Sequence, residues 1–182
     1  MKTLIISMPK SGTYLCSNLL VEFGINQTYL HLNPRTYQKY NSDIEQARQY
    51  PEKYTHKETF EKSLNLFGDN EFAVTHIPYT DKRNKITQNL KRILLVREKS
   101  EIMDSYRRWN SNTGRSMPTL RLDEIRKWEK QTNMFVLSFD DMINKNVKKI
   151  DGLQLYLFDE VKFNSLKCME KAINSPSMTK MR

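Results

Sequence analysis

The chain has 182 residues, of which 38% are hydrophobic and 28% charged, a composition typical of one globular domain with a single core. Lys and Arg outnumber Asp and Glu by 30 to 21, and the formal net charge of +9 favours anionic partners. No apolar run approaches the roughly 18 residues of a membrane span. The two cysteines are too isolated in sequence for a zinc site or a disulfide framework. We therefore expect one domain over residues 1–182, without a metal, in the reducing environment of the cytoplasm.

Short apolar runs bounded by turn signals predict five strands, at 3–8, 29–32, 72–76, 92–97 and 134–139. After the first strand, apolar residues at helical spacing from Leu15 to Phe23 predict a helix that Gly24 ends. Residues 35–67 are polar and rich in tyrosine, and they predict covering helices and loops. Further helices are predicted at 98–110, 122–128, 147–157 and 164–173, with a loop at 110–118.

Strands that alternate with helices predict an α/β domain, a parallel sheet of about five strands flanked by helices on both faces. In such sheets ligands bind beyond the carboxyl ends of the strands. The residues to inspect therefore lie at 8–13, 76–80, 97–100 and 138–141.

The turn Pro9-Lys10-Ser11-Gly12-Thr13 stands between the first strand and the first helix. The N–H groups and the dipole of a helix start favour a phosphate or a sulfate, and Lys10 adds a full charge. Gly12 permits close approach of the backbone, and Ser11 and Thr13 offer hydroxyl donors. These five residues are equally compatible with an ordinary turn carrying a solvated lysine, since the pattern GxxxxGK[ST] is absent.

Basic residues concentrate between 82 and 99, where seven of them accompany one acid, Glu98. Arg97 ends a predicted strand, a place from which arginine can bind phosphate through two hydrogen bonds. Taken alone, it is better explained by an ion pair with Glu98 or Glu101. Ser105 follows eight residues later, so the pair can close on one anion only if the intervening chain bends or is partly loop.

Four stretches in order along the chain resemble the sulfotransferases that use 3′-phosphoadenosine 5′-phosphosulfate (PAPS). "PKSGTYL" at 9–15 is similar to their 5′-phosphosulfate loop PKSGTTW, and "VREKSEIMDSY" at 96–106 to their 3′-phosphate motif of an arginine followed eight residues later by a serine. "THIP" at 75–78 resembles the THLP segment that carries the catalytic histidine, and "FVLSFDDM" at 135–142 resembles LxLSYEDM. The resemblance implies a single-domain, P-loop nucleotide-kinase-like sulfotransferase fold.

The resemblance also implies roles for individual residues. Lys10 and His76 would be catalytic, the lysine neutralising charge at the departing phosphate and the histidine taking the proton of the acceptor hydroxyl. PAPS, or the product adenosine 3′,5′-bisphosphate (PAP), would bind Lys10, Ser11, Gly12, Thr13 and Tyr14, with the backbone of Ser11, Gly12 and Thr13 holding the 5′-phosphate. Arg97 and Ser105 would bind the 3′-phosphate. Cations around the donor can stabilise such a transfer without a metal.

Some positions depart from the family pattern. Tyr14 and Leu15 stand where the family has Thr and Trp, and Val74 where many members have lysine. The glycine-rich segment that closes over the nucleotide is expected to be missing after "NSPSMTKMR". A small-molecule or glycan hydroxyl is the expected acceptor, with neither a membrane nor a nucleic acid as partner.

Two other functions remain open from the residues alone. A P-loop kinase for a nucleotide or a small metabolite would use the same strand, loop and helix, but it would need Mg²⁺. A non-catalytic nucleic-acid-binding domain would explain the charge of +9 and the aromatic residues Tyr106 and Trp109 among arginines.

Overall fold

The computed structural model describes residues 1–40, 51–113 and 121–176. Seven strands lie in these ranges: β1 (Lys2–Ser7), β2 (Asn26–Leu32), β3 (Thr36–Lys39), β4 (Thr55–Lys57), β5 (Glu71–Thr75), β6 (Lys91–Val96) and β7 (Met134–Ser138). The same ranges contain the helices α1 (Thr13–Glu22), α2 (Pro51–Tyr54), α3 (Phe60–Ser63), α4 (Asp81–Thr87), α5 (Lys99–Thr113), α6 (Leu122–Arg126), α7 (Phe139–Ile143), α8 (Val147–Phe158) and α9 (Ser165–Ile173). Short 3₁₀ turns extend α3 and α6. None of these helices is both long enough and apolar enough to span a membrane.

All seven strands form one sheet in the order β4-β3-β2-β5-β1-β6-β7. The five strands from β2 to β7 in this order are parallel to one another, which confirms the predicted α/β class. β1 lies at the centre, with β5 and β2 on one side and β6 and β7 on the other. The connections reverse direction at β1, and such a switch point leaves a crevice beyond the strand ends where ligands bind.

The sheet has seven strands instead of about five because β3 and β4 extend it as an antiparallel edge. Both strands fall within residues 35–67, so the prediction of only helices and loops there was wrong. Their sequences, TYQK and THK, are short and polar and lack the apolar pattern of a central strand. Strands at the edge of a sheet need no such pattern, since one side and much of their surface meet water.

The alternating side chains of β1 supply two separate cores. Ile5 packs with α1, α8 and α9 on one face, whereas Leu4 and Ile6 pack with α5 and α6 on the other. Residues Thr3 to Ser7 are completely buried. The central strand is therefore held from both sides, and its carboxyl end is a rigid base for the loop that follows.

The predicted helices are confirmed with small corrections. Leu15, Cys16, Leu19 and Leu20 are buried in α1, and Gly24 has a φ of +75° just after that helix. α5 continues to Thr113, so the loop predicted from residue 110 begins later, and residues 114–118 lie outside the described ranges.

Leu166, Met169 and Ile173 predict the inner face of the last helix; in α9, Met169 is buried, but Leu166 is exposed. Cys168 and Ala172 occupy the inner face instead, since the helix is rotated relative to the predicted stripe.

The basic residues between 82 and 99 do not form one charged surface. Arg92 is 2% exposed, and its guanidinium donates hydrogen bonds to the Asn84 side chain and to the carbonyls of Thr132 and Asn133. Burial lowers its pKa from the ordinary value. Lys91 likewise donates to the Tyr156 carbonyl at 2.6 Å. Part of the basic excess thus stabilises the packing of β6 and is not available to an anionic partner.

Replacing Arg92 by Met tests this interpretation. We expect the free energy of unfolding to fall by about 2–4 kcal/mol, because buried acceptors lose their charged donor. The Lys82 side chain is 78% exposed and pairs with the exposed Glu61, so Lys82→Met is a control expected to stay within about 0.5 kcal/mol. Urea unfolding measures both, and equal midpoints would show that Arg92 is not structural.

Candidate active site

The loop from Met8 to Gly12 connects β1 to α1 by a tight turn. Lys10 has a φ of +63° and Gly12 a φ of +89°, both in the left-handed region. Ser11 is buried, and both its N–H and its hydroxyl donate to the Met8 carbonyl. Ser11 therefore stabilises the conformation of the loop through buried hydrogen bonds. The first hydrogen bond within α1 runs from the Cys16 N–H to the Gly12 carbonyl at 3.0 Å, so the N–H groups before Cys16 face the end of the helix.

Gly12 is pressed against the start of α7. A Cβ atom at this position would lie 2.6 Å from Cδ2 of Phe139 and 3.2 Å from Cε of Met142. The Phe139 ring is held in place by a capping box, in which the side chains of Ser138 and Asp141 each accept the backbone N–H of the other residue. The loop after β1 is thus packed directly on the turn after β7.

Lys10 and Arg97 meet at this loop. The Lys10 ammonium lies 4.8 Å from the ring centroid of Trp109 and 5.5 Å from that of Tyr106, both on α5. Nη1 of Arg97 donates to the Lys10 carbonyl at 3.1 Å, and its guanidinium lies 4.0 Å from the Phe139 ring centroid. These contacts place two cationic side chains at the loop. Such an arrangement suits an anion.

Arg97 also makes the ion pair that its sequence context favours. Its Nε lies 3.4 Å from the Glu101 carboxylate. Ser105 follows Glu101 by one helical turn on α5, which is continuous from Lys99, so Ser105 lies roughly 9 Å along the axis from the helix start. Among the described residues no hydrogen bond joins Arg97 to Ser105. The chain turns between the end of β6 at Val96 and the start of α5 at Lys99. Glu101 lies between Arg97 and Ser105 in the sequence.

A shallow cleft opens beside Arg97, beyond the carboxyl ends of β6 and β7. Its lining includes Arg97, Arg126, Ser138 and Phe139. The lining also carries the carboxylates Glu98 and Asp140, so it has two cations and two acids, and the cleft adjoins the ring on which Gly12 packs. The cleft is therefore next to the loop and open to a ligand that spans from the loop towards β7.

His76, directly after β5, reaches the same loop from the other side. Its Nδ1 lies 2.8 Å from Oγ of Ser7 and 2.9 Å from the Ser7 carbonyl oxygen. Oγ of Ser7 in turn lies 3.0 Å from Oγ1 of Thr13. Ser7 stands in no motif, because a serine at the end of an apolar strand has no distinguishing context. The structure nevertheless makes it the link between His76 and the first residue of α1.

The His31 ring meets the His76 ring edge to face, with centroids 4.7 Å apart. Burial, together with the nearby His76, lowers the pKa of His31 to about 3. Burial also lowers the pKa of His76, and the charge of Lys10 acts in the same direction, although the hydrogen bond to the Ser7 carbonyl opposes them. Both imidazoles are therefore neutral near neutral pH, and His76 can accept a proton.

The described residues contain no group of three or more His, Cys, Asp or Glu side chains that could hold a metal ion. Lys10 lies in the loop, and Arg97 donates to the backbone of the loop. Any anion bound there would therefore meet side-chain cations and backbone N–H groups.

The fold is shared with sulfotransferases of known structure. Retinol dehydratase, in a crystal structure with androsterone and the inactive cofactor PAP, superimposes with a TM-score of 0.65 at 14% identity, over 94% of this chain and 64% of that protein. The mouse sulfotransferase SULT7A1 complexed with PAP gives a TM-score of 0.66 at 17% identity, over 100% of this chain and 67% of that protein. The chain thus spans about two thirds of the length of these proteins. By sequence, no protein-family model and no curated protein matches it.

Replacing Gly12 by Ala tests the packing of the loop. Gly24→Ala introduces a side chain at a positive φ in open space, and Gly68→Ala introduces one at an ordinary φ with its nearest neighbour at 3.6 Å. We expect losses of stability of about 2–4 kcal/mol for Gly12, about 1–2 for Gly24 and within about 0.5 for Gly68. Thermal or urea unfolding measures the series. Equal losses at Gly12 and Gly24 would show that the Phe139 contact carries no constraint.

Proposed function

We propose that the protein is a sulfotransferase that moves the sulfuryl group of PAPS to a hydroxyl of an acceptor. One observation carries the proposal: residues from three distant parts of the chain, His76, Arg97 and Phe139, contact the loop or the residues that flank it. His76 reaches it through Ser7 and Thr13, and Arg97 reaches it through the Lys10 carbonyl. The fold shared with two PAP-bound proteins supports the same function.

The residues present fit a donor with two phosphate groups. The 5′-phosphosulfate end would bind Lys10, the Thr13 hydroxyl and the N–H groups at the start of α1, including those of Gly12 and Tyr14. Since Ser11 turns both of its donors to the Met8 carbonyl, its proposed part is to hold the loop in shape. The donor supplies an activated sulfuryl group, and the charge of Lys10 would stabilise the departing phosphate.

The 3′-phosphate end would bind Arg97 and Ser105. The Arg97 side chain is 15% exposed and keeps one face towards the loop, while its ion pair with Glu101 is partly exposed and thus weak. We propose that the 3′-phosphate competes with Glu101 for Arg97. Leu15, at the place of the family's tryptophan, is buried in the core, so contact with the adenine is assigned to the part-exposed Tyr14.

His76 would act as the general base. The Nδ1 contacts to Ser7 hold the ring in one orientation, and the lowered pKa keeps it neutral at neutral pH. His76 stands on the Thr13 side of the loop, opposite Arg97. An acceptor hydroxyl near His76 would therefore approach the 5′ end of the donor and not the 3′ end.

The acceptor is proposed to be a small-molecule or glycan hydroxyl. The nucleic-acid-binding alternative loses support because Tyr106 is 5% exposed and Arg92 is 2% exposed, so neither is available to stack on bases or to bind phosphates. The kinase alternative is separated by experiment, since transfer by a kinase should stop in a chelator whereas sulfuryl transfer should continue.

Arg97→Ala tests the two-phosphate site. By calorimetry we expect the affinity for PAP to fall about 10- to 100-fold, because a charge-assisted contact to the 3′-phosphate is lost. Adenosine 5′-monophosphate, which lacks that phosphate, should lose no more than about threefold. Arg107→Ala removes the same charge from an exposed position and is the matched control. Equal losses for both nucleotides would refute the assignment of Arg97.

His76→Ala tests the base. We expect turnover to fall about 10²- to 10⁴-fold, with PAP affinity kept within about threefold. Lys10→Ala should lower both turnover and PAP affinity. The exposed His56 is the control position, and His56→Ala should retain turnover. Near-normal turnover of His76→Ala would place the base elsewhere.

The pH profile provides a second readout of His76. Because its folded pKa lies below the ordinary 6.5, turnover should persist below that pH and decline only as His76 becomes protonated. An acid limb with a midpoint above 6.5 would contradict this environment.

A further inference from the structure

Ser7 contacts His76 with two atoms of different hydrogen-bonding character. The Ser7 carbonyl oxygen, 2.9 Å from Nδ1, can only accept a hydrogen bond, whereas the Ser7 hydroxyl, 2.8 Å from Nδ1, can donate or accept. If Nδ1 carries the proton, both contacts are favourable. If Nδ1 is bare, the hydroxyl can donate to it, but the carbonyl then faces a lone pair. The tautomer of His76 therefore depends on where the Ser7 proton points.

Among the described residues, the Ser7 hydroxyl also contacts a second acceptor for its proton, the Thr13 hydroxyl. Oγ1 of Thr13 lies 3.0 Å from Oγ of Ser7, and either hydroxyl can be the donor. When Thr13 donates to Ser7, the Ser7 proton is free to point at Nδ1 of His76. When Thr13 donates elsewhere, it can accept from Ser7, and Nδ1 must then keep its own proton.

Thr13 is the first residue of α1 and lies where the N–H groups of the loop meet an anion. A bound anion would accept a hydrogen bond from the Thr13 hydroxyl. The hydrogen bonds would then run in one direction: His76 Nδ1–H donates to Ser7, the Ser7 hydroxyl donates to Thr13, and the Thr13 hydroxyl donates to the anion. In that state Nε2 of His76 has a free lone pair, which is the form a general base requires.

We propose that Ser7 is a positioning residue that couples donor binding at the loop to the tautomer of His76. The coupling rests on the proposed function, in which the anion is the 5′ end of PAPS or PAP. The enzyme would thus present a base to the acceptor chiefly when the donor is in place. Ser7 touches neither the donor nor the acceptor in this scheme and acts only through Thr13 and His76.

The groups around His76 allow the hydrogen bonds through Ser7 and Thr13 to determine which ring nitrogen carries the proton. Lys10 and His31 are its titratable neighbours: the Lys10 charge acts on His76, the His76 charge acts on His31, and the Nδ1 contacts are both to Ser7. His31 meets His76 through an edge-to-face ring contact, and its Nε2 is buried without a hydrogen-bond partner among the described residues. Ser7 itself is completely buried, so water does not replace its hydroxyl.

Nitrogen NMR of the full chain labelled with ¹⁵N-histidine tests the coupling directly, because the protein has only three histidines. His31→Gln and His56→Gln variants assign the signals. In the wild-type protein, saturation with PAP should shift the His76 ring nitrogens towards the Nδ1–H form. Calorimetry on the same samples reports whether PAP is bound.

The experiment is completed by three variants, Thr13→Val, Thr13→Ser and Ser7→Ala. Thr13→Val keeps the side-chain shape but removes the relay, so PAP should bind, more weakly, without shifting the His76 signals. Thr13→Ser should restore the shift. Ser7→Ala should abolish it, and the Thr13 pair remains decisive if Ser7→Ala does not fold.

The outcomes separate the two proposals. Binding of PAP without any change in the wild-type His76 signals, or an unchanged shift in Thr13→Val, would overturn the coupling and leave the donor site intact. A wild-type protein that does not bind PAP would overturn the proposed function and the coupling together.

Discussion

The contact between Gly12 and the Phe139 ring determines how the rest of the candidate site is arranged. β1 is buried on both faces, so the chain must leave the sheet at Ser7 and turn sharply before α1 begins. Only a residue without a side chain fits at Gly12, because a Cβ atom there would lie 2.6 Å from the ring. The same ring lies under the Arg97 guanidinium. One aromatic side chain therefore sets both the distance of the loop from β7 and the position of the arginine.

The electrostatics of the site follow from this packing. Lys10 lies over two aromatic rings, and Arg97 donates to a carbonyl of the loop. Arg97 also pairs with the Glu101 carboxylate, four residues before Ser105 on α5. In the proposed function an anion would meet both cations, and the 3′-phosphate would displace Glu101 from Arg97. On the other side of the loop, Ser7 contacts both His76 and Thr13.

The sequence predicted the parallel sheet because each of its five strands is a short apolar run between turn signals. It did not predict β3 and β4, since TYQK and THK owe their structure to the neighbouring β2 edge and not to their own pattern. In α9, Leu166 is exposed although it was predicted to face inward, and Cys168 is buried instead. The reason is similar, because packing against α1 and not local periodicity determines which face is inward.

The candidate site was likewise predicted from the sequence only in part. His76, Arg97 and the loop could be selected from strand ends and spacing, and whether they share one ligand stays a prediction. For Arg97 taken alone, an ion pair with Glu98 or Glu101 was the better explanation, and the structure contains the pair with Glu101. Ser7 and Phe139 could not be recognised, since their importance comes from contacts with residues 69 and 127 positions away along the chain, His76 and Gly12 respectively. Tertiary contacts of this kind leave no signal in a single sequence.

A crystal structure of the protein with PAP bound tests the central claim most directly. We expect the 5′-phosphate at Lys10, Thr13 and the start of α1, and the 3′-phosphate at Arg97 and Ser105. We expect His76 to lie beside the 5′ end. PAP bound with its 3′-phosphate away from Arg97, or bound outside this loop, would contradict the account.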